Sequence, residues 1–187
     1  MTPAEILEEL KRLPATERLS IIEEALHLTR EEMQQGGPFQ LQPIGIVKSP
    51  ISEEVVENWG EVVSEIVLNE AFAPGLQGLE QFSHVMVIFY MHQAHFDLAR
   101  DLVRRPRGRD DMPSLGIFAQ RPKLHPNPIG ITAVQFVEVT GNILKVKGLD
   151  AINDTPVLDL KPYFPIFDRV DNARTPEWVD RLLQGYF

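Results

Sequence analysis

From residue 42 to residue 160, apolar side chains occur in short runs that are rich in β-branched and aromatic residues and separated by glycine, proline or asparagine. Such runs are typical of strands, and only one stretch between them, about 93–104, has a helical pattern. This pattern predicts a fold that is mainly β with some α, a single antiparallel or mixed β-barrel rather than a Rossmann sheet. We expect strands at residues 44–47, 62–68, 85–90, 116–119, 132–139, 143–147 and 157–160.

Two glycine patterns agree with a barrel. The tripeptide T-G-N at residues 140–142 joins two predicted strands and is a good hairpin signal. No G-x-G-x-x-G motif follows a strand, so the sequence lacks the glycine loop of dinucleotide-binding sheets and of the commonest methyltransferases.

Residues 2–35 have a helical rather than an alternating pattern. Thr2 begins a capping box, Pro14 separates two helices, and G-G-P at residues 36–38 ends the second one. We expect a helical hairpin that packs on the main domain or on a second subunit. The chain then divides into an N-terminal helical extension (1–37), a barrel domain (40–165) and a C-terminal tail with a short helix (166–187).

Composition excludes several classes of chemistry. The sequence has no cysteine, which excludes disulfides and thiolate catalysis. No apolar run approaches the length of a membrane span, and no basic and then apolar leader opens the chain, so we expect a cytoplasmic protein without a membrane contact.

Charge is unevenly distributed along the chain. A net charge of −9 opposes broad affinity for nucleic acid, yet residues 100–125 carry seven basic and three acidic side chains. This arginine-rich segment is therefore the place where a phosphate backbone is expected to bind. Its arginines up to residue 110 are Arg100, Arg104, Arg105, Arg107 and Arg109.

The motif P-N-P-I-G at residues 126–130 is the strongest local signal for a site. Two prolines fix the backbone around Asn127 and remove two amide donors. The pattern fits a rigid loop that holds a side chain or carbonyl towards a ligand, and taken alone it fits a structural turn equally well.

In context, this motif resembles a known family. The sequence G-I-F-A-Q-R at residues 116–121, followed by P-N-P-I-G, resembles the hallmark of the TsaA-like family, G-x-F-A-T-R and then R-P-N-P-I-G. Three further blocks resemble that family in the same order: residues 44–50, residues 78–84 with the strand that ends in His92 and Gln93, and residues 149–163. The likeness covers about two thirds of the chain, which would be a divergent short form with an added N-terminal helical segment.

The resemblance implies a barrel that binds S-adenosyl-L-methionine at one end and forms a homodimer. It also implies methylation of the exocyclic nitrogen of threonylcarbamoyladenosine in tRNA. The matching positions imply cofactor contacts from His92, Gln93, Arg121, Ile131, Ile152, Asn153, Asp154 and Thr155, with Trp59 as a further candidate for stacking on adenine. Candidate substrate contacts are Asn127, Arg104, Arg105 and Arg107.

These residue types suit the cofactor. Arg121 can bind its carboxylate with two parallel hydrogen bonds, and Gln93 offers both a donor and an acceptor. The acceptor nitrogen is conjugated, so a base that removes its proton would help; His92, His125 and Asp154 are candidates that the sequence does not rank. We predict no metal site, because His92 and His95 lack the neighbouring ligands that zinc requires.

Three positions depart from the family pattern. Gln120 replaces its threonine, His125 replaces its arginine, and N-D-T-P at residues 153–156 replaces D-G-T-P. Asp154 therefore occupies a glycine position, which is costly if the backbone there has positive φ.

Two other functions fit the same residues. A small-molecule methyltransferase would explain the acidic surface. A regulatory module that binds S-adenosyl-L-methionine without catalysis would use the N-terminal helices to contact a partner protein.

Overall fold

The computed structural model describes residues 3–34, 40–53 and 57–187. Within them the chain forms two compact units, Met1–Leu41 and Gln42–Phe187. The predicted capping box at Thr2 and the G-G-P signal at residues 36–38 lie outside the described residues.

The first unit consists of two helices, α1 (Pro3–Arg12) and α2 (Ala15–Gln34). The chain breaks between them at Pro14, where proline cannot continue the hydrogen bonding of α1. Exposed ion pairs join Lys11 to Glu8 and Arg12 to Glu9, one helical turn apart. The two predicted helices are confirmed, and their packing as a hairpin stays a prediction.

The second unit is built around a closed barrel of six strands in the order β1-β2-β7-β6-β3-β8, with every neighbouring pair antiparallel. The predicted barrel is therefore confirmed, and its sheet is antiparallel rather than mixed. Two further short strands, β4 and β5, form a separate two-stranded sheet. The strands are β1 (Gly45–Lys48), β2 (Val63–Leu68), β3 (His84–Tyr90), β4 (Val103–Arg104), β5 (Leu115–Gly116), β6 (Ile129–Thr140), β7 (Ile143–Lys147) and β8 (Pro156–Pro162).

The barrel interior is filled by alternate side chains of each strand. In β3, Val85, Val87 and Phe89 are buried while the residues between them face outwards, and β7 buries Leu144 and Val146 in the same way. Because successive side chains of a strand point to opposite faces, every second residue of these strands fills the barrel interior.

Two glycines are required by this packing. Gly130 lies directly opposite Phe89 in the β3–β6 pair, and a Cβ at this position would overlap the aromatic ring. Gly141, with φ of 62°, stands first in the two-residue loop between β6 and β7, where positive φ is needed. The predicted hairpin is thus confirmed, and the glycine of P-N-P-I-G has a packing reason.

Two predicted elements are wrong. The helix expected at about 93–104 is only the four residues of α3 (Leu98–Asp101), and the chain then turns into β4. The strand expected at residues 116–119 is a turn of 3-10 helix, Ile117–Ala119, that follows β5. In both cases the segment belongs to a long connection whose shape is set by its own polar contacts rather than by the barrel.

The tail contains two short helices, α4 (Pro165–Asp168) and α5 (Glu177–Leu183). Among the helices in the described part of the chain, none has the length and apolar character needed to cross a bilayer.

Candidate functional site

Three connections meet at one end of the barrel, which we call the rim. They are residues 49–62 between β1 and β2, residues 91–128 between β3 and β6, and residues 148–155 between β7 and β8. Because neighbouring strands are antiparallel, all three open at the same end. The predicted cofactor residues all lie in these connections, except Ile131, which is near the start of β6. The topology thus gathers positions that are far apart in the sequence.

The 148–155 connection is fastened to the end of β1. The N–H of Asp154 donates to the carbonyl of Val47 (2.8 Å), and the N–H of Ser49 donates to Oδ1 of Asn153 (3.1 Å). The Lys48 ammonium lies 2.6 Å from the Asp154 carboxylate. Thr155 is buried, with 2% of its surface exposed. These bonds hold the predicted cofactor turn in one conformation.

Asp154 has φ of 63°, so the glycine position of the family pattern does require the left-handed backbone region. Replacing Asp154 by alanine is expected to lower the free energy of unfolding by about 1 kcal/mol, because alanine tolerates this region less well than aspartate. Replacing Asp154 by glycine removes the backbone strain of the positive φ, but it also removes an exposed ion pair worth about 0–1 kcal/mol. Little net change in the free energy of unfolding is therefore expected. Urea unfolding of both variants measures the difference; equal losses would show that the ion pair, not the backbone, matters.

His92 and Gln93 lie in a turn directly after β3. The N–H of Met91 donates to the carbonyl of Pro128 (2.8 Å), which ties this turn to the P-N-P-I-G loop. Among the described residues, Nδ1 of His92 is buried without a hydrogen-bond partner, whereas Gln93 is exposed. A buried polar atom without a partner is costly, so a bound polar group beside His92 would be stabilising.

Arg121 lies against the first residues of β6. One terminal nitrogen of its guanidinium donates to the carbonyl of Ile131 (2.9 Å), and the side chain is exposed. A guanidinium has five N–H donors, so this bond orients the group while leaving donors that can meet a carboxylate. Ile131 faces outwards beside it. The two predicted cofactor positions are thus in direct contact.

His125 and Gln120, two of the departures from the family pattern, stabilise the long connection itself. Nε2 of the His125 imidazole forms a hydrogen bond with the carbonyl of Gln120 (3.2 Å). The Gln120 amide donates to the carbonyls of Arg104 (2.8 Å) and Leu115 (2.9 Å), joining both strands of the small sheet. Asn127 is exposed at the loop beside them.

Trp59 is not placed for stacking on a ligand. Only 2% of its surface is exposed, and it lies in the 3-10 turn Trp59–Glu61. An indole buried in this way contributes its area to packing, so the predicted stacking on adenine is not supported by the structure. Trp59 is a core anchor of the 49–62 connection.

The arginine-rich segment is stabilised by internal pairing. Asp101 is buried, with 2% of its surface exposed, and accepts from Arg100 (2.7 Å) and Arg104 (3.4 Å). The hydrogen bond from Arg100, then the N–H of Asp97, lowers the pKa of Asp101 to about 2, so it is ionised at neutral pH. Arg109 pairs with Asp111 (2.7 Å).

Arg105 and Arg107 also have partners within the chain. Arg105 donates to the carbonyls of Asp110 (3.4 Å) and Met112, and the Arg107 guanidinium lies 5.6 Å above the ring of Tyr186. These contacts occupy part of the donors and surface of the arginines, and a phosphate-facing role for Arg104, Arg105 and Arg107 stays a prediction.

Sequence reasoning missed a cluster around Asp150. Its carboxylate accepts from the Thr132 hydroxyl (2.5 Å) and from the Tyr186 hydroxyl (2.8 Å). Asp150 lies in the 149–163 block that resembles the family, but no local pattern pairs it with Thr132 and Tyr186. The three residues come from β6, the 148–155 connection and the end of the described chain. In the part of the chain that the structure describes, no group of His, Asp and Glu side chains is arranged to hold a metal ion.

A family model described as the tRNA-methyltransferase O N-terminal domain matches residues 48–169. A probable S-adenosyl-L-methionine-binding protein of Pyrococcus abyssi is 36% identical over 151 residues, which are 75% of this chain and 76% of that protein. A tRNA (adenine(37)-N6)-methyltransferase of Escherichia coli K12 is 36% identical over 148 residues, 72% of this chain and 62% of that protein.

Solved structures agree with the sequence comparison. The crystal structure of TrmO from Pseudomonas aeruginosa has a TM-score of 0.60 and 31% identity, covering 73% of this chain and 61% of that one. The chain thus spans less than two thirds of the Escherichia coli protein and of this solved structure. The matched residues contain the barrel from the last residue of β1 onwards and all three rim connections. The chain belongs to the family of the tRNA-methyltransferase O N-terminal domain.

Proposed function

We propose that this protein is an S-adenosyl-L-methionine-dependent methyltransferase that methylates the exocyclic nitrogen of an adenosine in tRNA. The observation that carries the proposal is the rim, where Arg121, the His92–Gln93 turn and the 152–155 turn are brought to one end of a barrel of this family. The Escherichia coli relative is named for N6-methylation of adenine 37, and the Pyrococcus relative for binding the cofactor.

The residues present fit the cofactor. Arg121 is oriented by the Ile131 carbonyl and retains donors suited to a carboxylate. The 152–155 turn offers an acidic side chain and backbone groups that suit an ammonium or a diol. Nδ1 of His92 is buried without a hydrogen-bond partner among the described residues, so it can form a hydrogen bond with a polar group of the cofactor. When bound, the cofactor supplies an electrophilic methyl group.

The remaining task of the site is to position the acceptor nitrogen and to remove its proton. Of the three candidate bases, His125 is bonded to the carbonyl of Gln120, and Asp154 is in an ion pair with Lys48. His92 is therefore the base that we favour. We further propose threonylcarbamoyladenosine as the acceptor, on the resemblance of the sequence to its family.

Labelled methyl transfer tests this function. Purified protein and methyl-labelled S-adenosyl-L-methionine are incubated with tRNA from a strain that lacks the gene, and with tRNA from its parent as the already methylated control. We expect label in the first tRNA only, with less turnover for His92→Gln than for the matched variant His95→Gln. The labelled nucleoside is then identified by mass spectrometry.

Each alternative predicts a different result. Label in a small-metabolite extract but not in tRNA would assign a small-molecule methyltransferase. Cofactor binding without transfer to either would assign the regulatory module. Steep weakening of tRNA binding with added salt would support a phosphate contact by the arginine-rich segment.

The partner and location predictions are tested separately. A homodimer, a protein contact through α1 and α2, and a cytoplasmic location all stay predictions. Light scattering of the full chain, and of a variant with charged substitutions on α2, measures whether the chain is a dimer and whether the helices form the contact.

A further inference from the structure

The last described residues lie beside residues 58–60 of the 49–62 connection. The N–H of Asn58 donates to the carbonyl of Gly185 (2.8 Å), and the N–H of Trp59 donates to the carbonyl of Tyr186 (2.8 Å). Gly60 approaches the backbone of Phe187 so closely that a Cβ there would lie 2.9 Å from it. Residues 185–187, which we call the strap, are therefore fixed to the first rim connection by backbone contacts.

The side chain of Tyr186 reaches the third rim connection. Its hydroxyl donates to Oδ2 of Asp150 (2.8 Å), while Thr132 of β6 donates to Oδ1 of the same carboxylate (2.5 Å). Each carboxylate oxygen thus has its own donor, and charge-assisted hydrogen bonds are the strong ones. Asp150 lies two positions before the predicted cofactor turn at residues 152–155. Its orientation is fixed from two sides.

The ring of Tyr186 reaches the second rim connection. The Arg107 guanidinium lies 5.6 Å from the ring centroid, in the range of a cation–π contact. Arg107 has φ of 50°, which an arginine adopts only when its surroundings hold it there. One residue therefore contacts all three connections, through its backbone carbonyl, its hydroxyl and its ring.

We propose that Tyr186 is a positioning residue that holds the three rim connections in the arrangement that binds the methyl donor. The inference rests on the proposed function. The three connections leave different strands, and ordering separate loops at the moment of binding costs conformational entropy. A residue that joins all three in the unbound protein removes part of that cost from the binding step.

The hydroxyl and the ring of Tyr186 can be tested separately. Tyr186→Phe removes the bond to Asp150 and keeps the ring beneath Arg107; Arg107→Ala removes the ring contact and keeps the hydroxyl. Tyr163→Phe is the matched control, because Tyr163 follows β8 at the opposite end of the barrel, where its N–H donates to the His84 carbonyl. Calorimetry with S-adenosyl-L-methionine measures Kd, and thermal unfolding measures stability for each full-length variant.

We expect Tyr186→Phe to raise the Kd about tenfold, Arg107→Ala to raise it about threefold, and Tyr163→Phe to leave it unchanged. In steady state, Tyr186→Phe should raise the KM for the methyl donor more than it lowers kcat, which a loss of stability alone would not do. Tyr186→Phe and Asp150→Asn alter the two ends of the same hydrogen bond. The double variant should therefore have a Kd little higher than that of Asp150→Asn alone.

The two proposals fail in different ways. If the unaltered protein does not bind S-adenosyl-L-methionine, the proposed function is overturned. If it binds and Tyr186→Phe binds equally well, the positioning role is overturned while the function stands. If Tyr186→Phe does not fold, Asp150→Ala and Arg107→Ala remove two side-chain partners of Tyr186, and an unchanged Kd for both variants overturns the role.

Discussion

Replacing Arg121 by alanine is expected to weaken binding of S-adenosyl-L-methionine at least tenfold. The guanidinium is held at the rim by the Ile131 carbonyl, and a charge-assisted pair with a carboxylate is among the strongest polar contacts that a site can offer. Arg121→Lys keeps the charge but loses the two-pronged geometry, so an intermediate loss is expected. Calorimetry on the three proteins gives the Kd values.

The matched control for this prediction is Arg169→Ala. Arg169 is also exposed and forms an ion pair, with Asp171 at 2.8 Å. It follows α4, which comes after the end of β8, and that end of the barrel is opposite to the rim. Its removal should leave the Kd unchanged. Unchanged binding by Arg121→Ala would remove Arg121 from the site, and an equal loss in both variants would indicate a general effect of charge.

Replacing Gly130 by alanine is expected to lower the free energy of unfolding by about 3 kcal/mol. A Cβ here would come within 3.0 Å of three atoms of the Phe89 ring, which is buried in the barrel and lies directly opposite in the β3–β6 pair. Overpacking of a rigid core typically costs about 1–3 kcal/mol, and an aromatic ring between strands has little room to move. Urea unfolding measures the change.

Gly116→Ala is the control for Gly130→Ala. Both glycines belong to the sequence hallmark of the family, but a Cβ at Gly116 would meet nothing within 4 Å, and its φ of −60° suits alanine. We expect no loss of stability. A second test is the pair Gly130→Ala with Phe89→Leu, whose combined cost should be well below the sum of the single costs. Additive costs would contradict the overlap.

The barrel could be predicted from the sequence because its strands are specified locally. Residues 85–90 and 143–147 are short runs rich in β-branched and aromatic residues, which predict strands, and both are strands in the structure. The hairpin at Gly141 was equally clear, since a two-residue loop between strands requires positive φ. The order of strands around the barrel has no such local signal, because it depends on which strands meet across the closed sheet.

The long connection between β3 and β6 was harder to predict. Its apolar and basic pattern resembles a helix over 93–104, yet α3 ends after one turn at Asp101, whose buried carboxylate binds Arg100 and Arg104. The arginine count predicts a surface for phosphate, whereas four of these arginines have partners within the segment and Arg107 contacts Tyr186. Charge counts do not reveal which side chains form such contacts.

The candidate site was predictable only in part. Family likeness identified His92, Arg121 and the 152–155 turn, and the topology brings them to one rim. It also pointed to Trp59, whose burial makes it a core residue. Tyr186 and Asp150 have no spacing that a sequence pattern could detect, since they meet only when the strap returns to the rim.

The closure of the barrel between β1 and β8 also bears on how the chain is made. The ion pair of Lys48 with Asp154 joins groups 106 positions apart, and the strands beside it pair over a similar distance. Pairing between such distant segments is slow, because the intervening chain must be ordered before the contact forms. During synthesis β1 therefore keeps an open edge until β8 emerges, and an open edge is where another chain can add. A translation pause before residue 156 would lengthen the period in which nascent chains can aggregate.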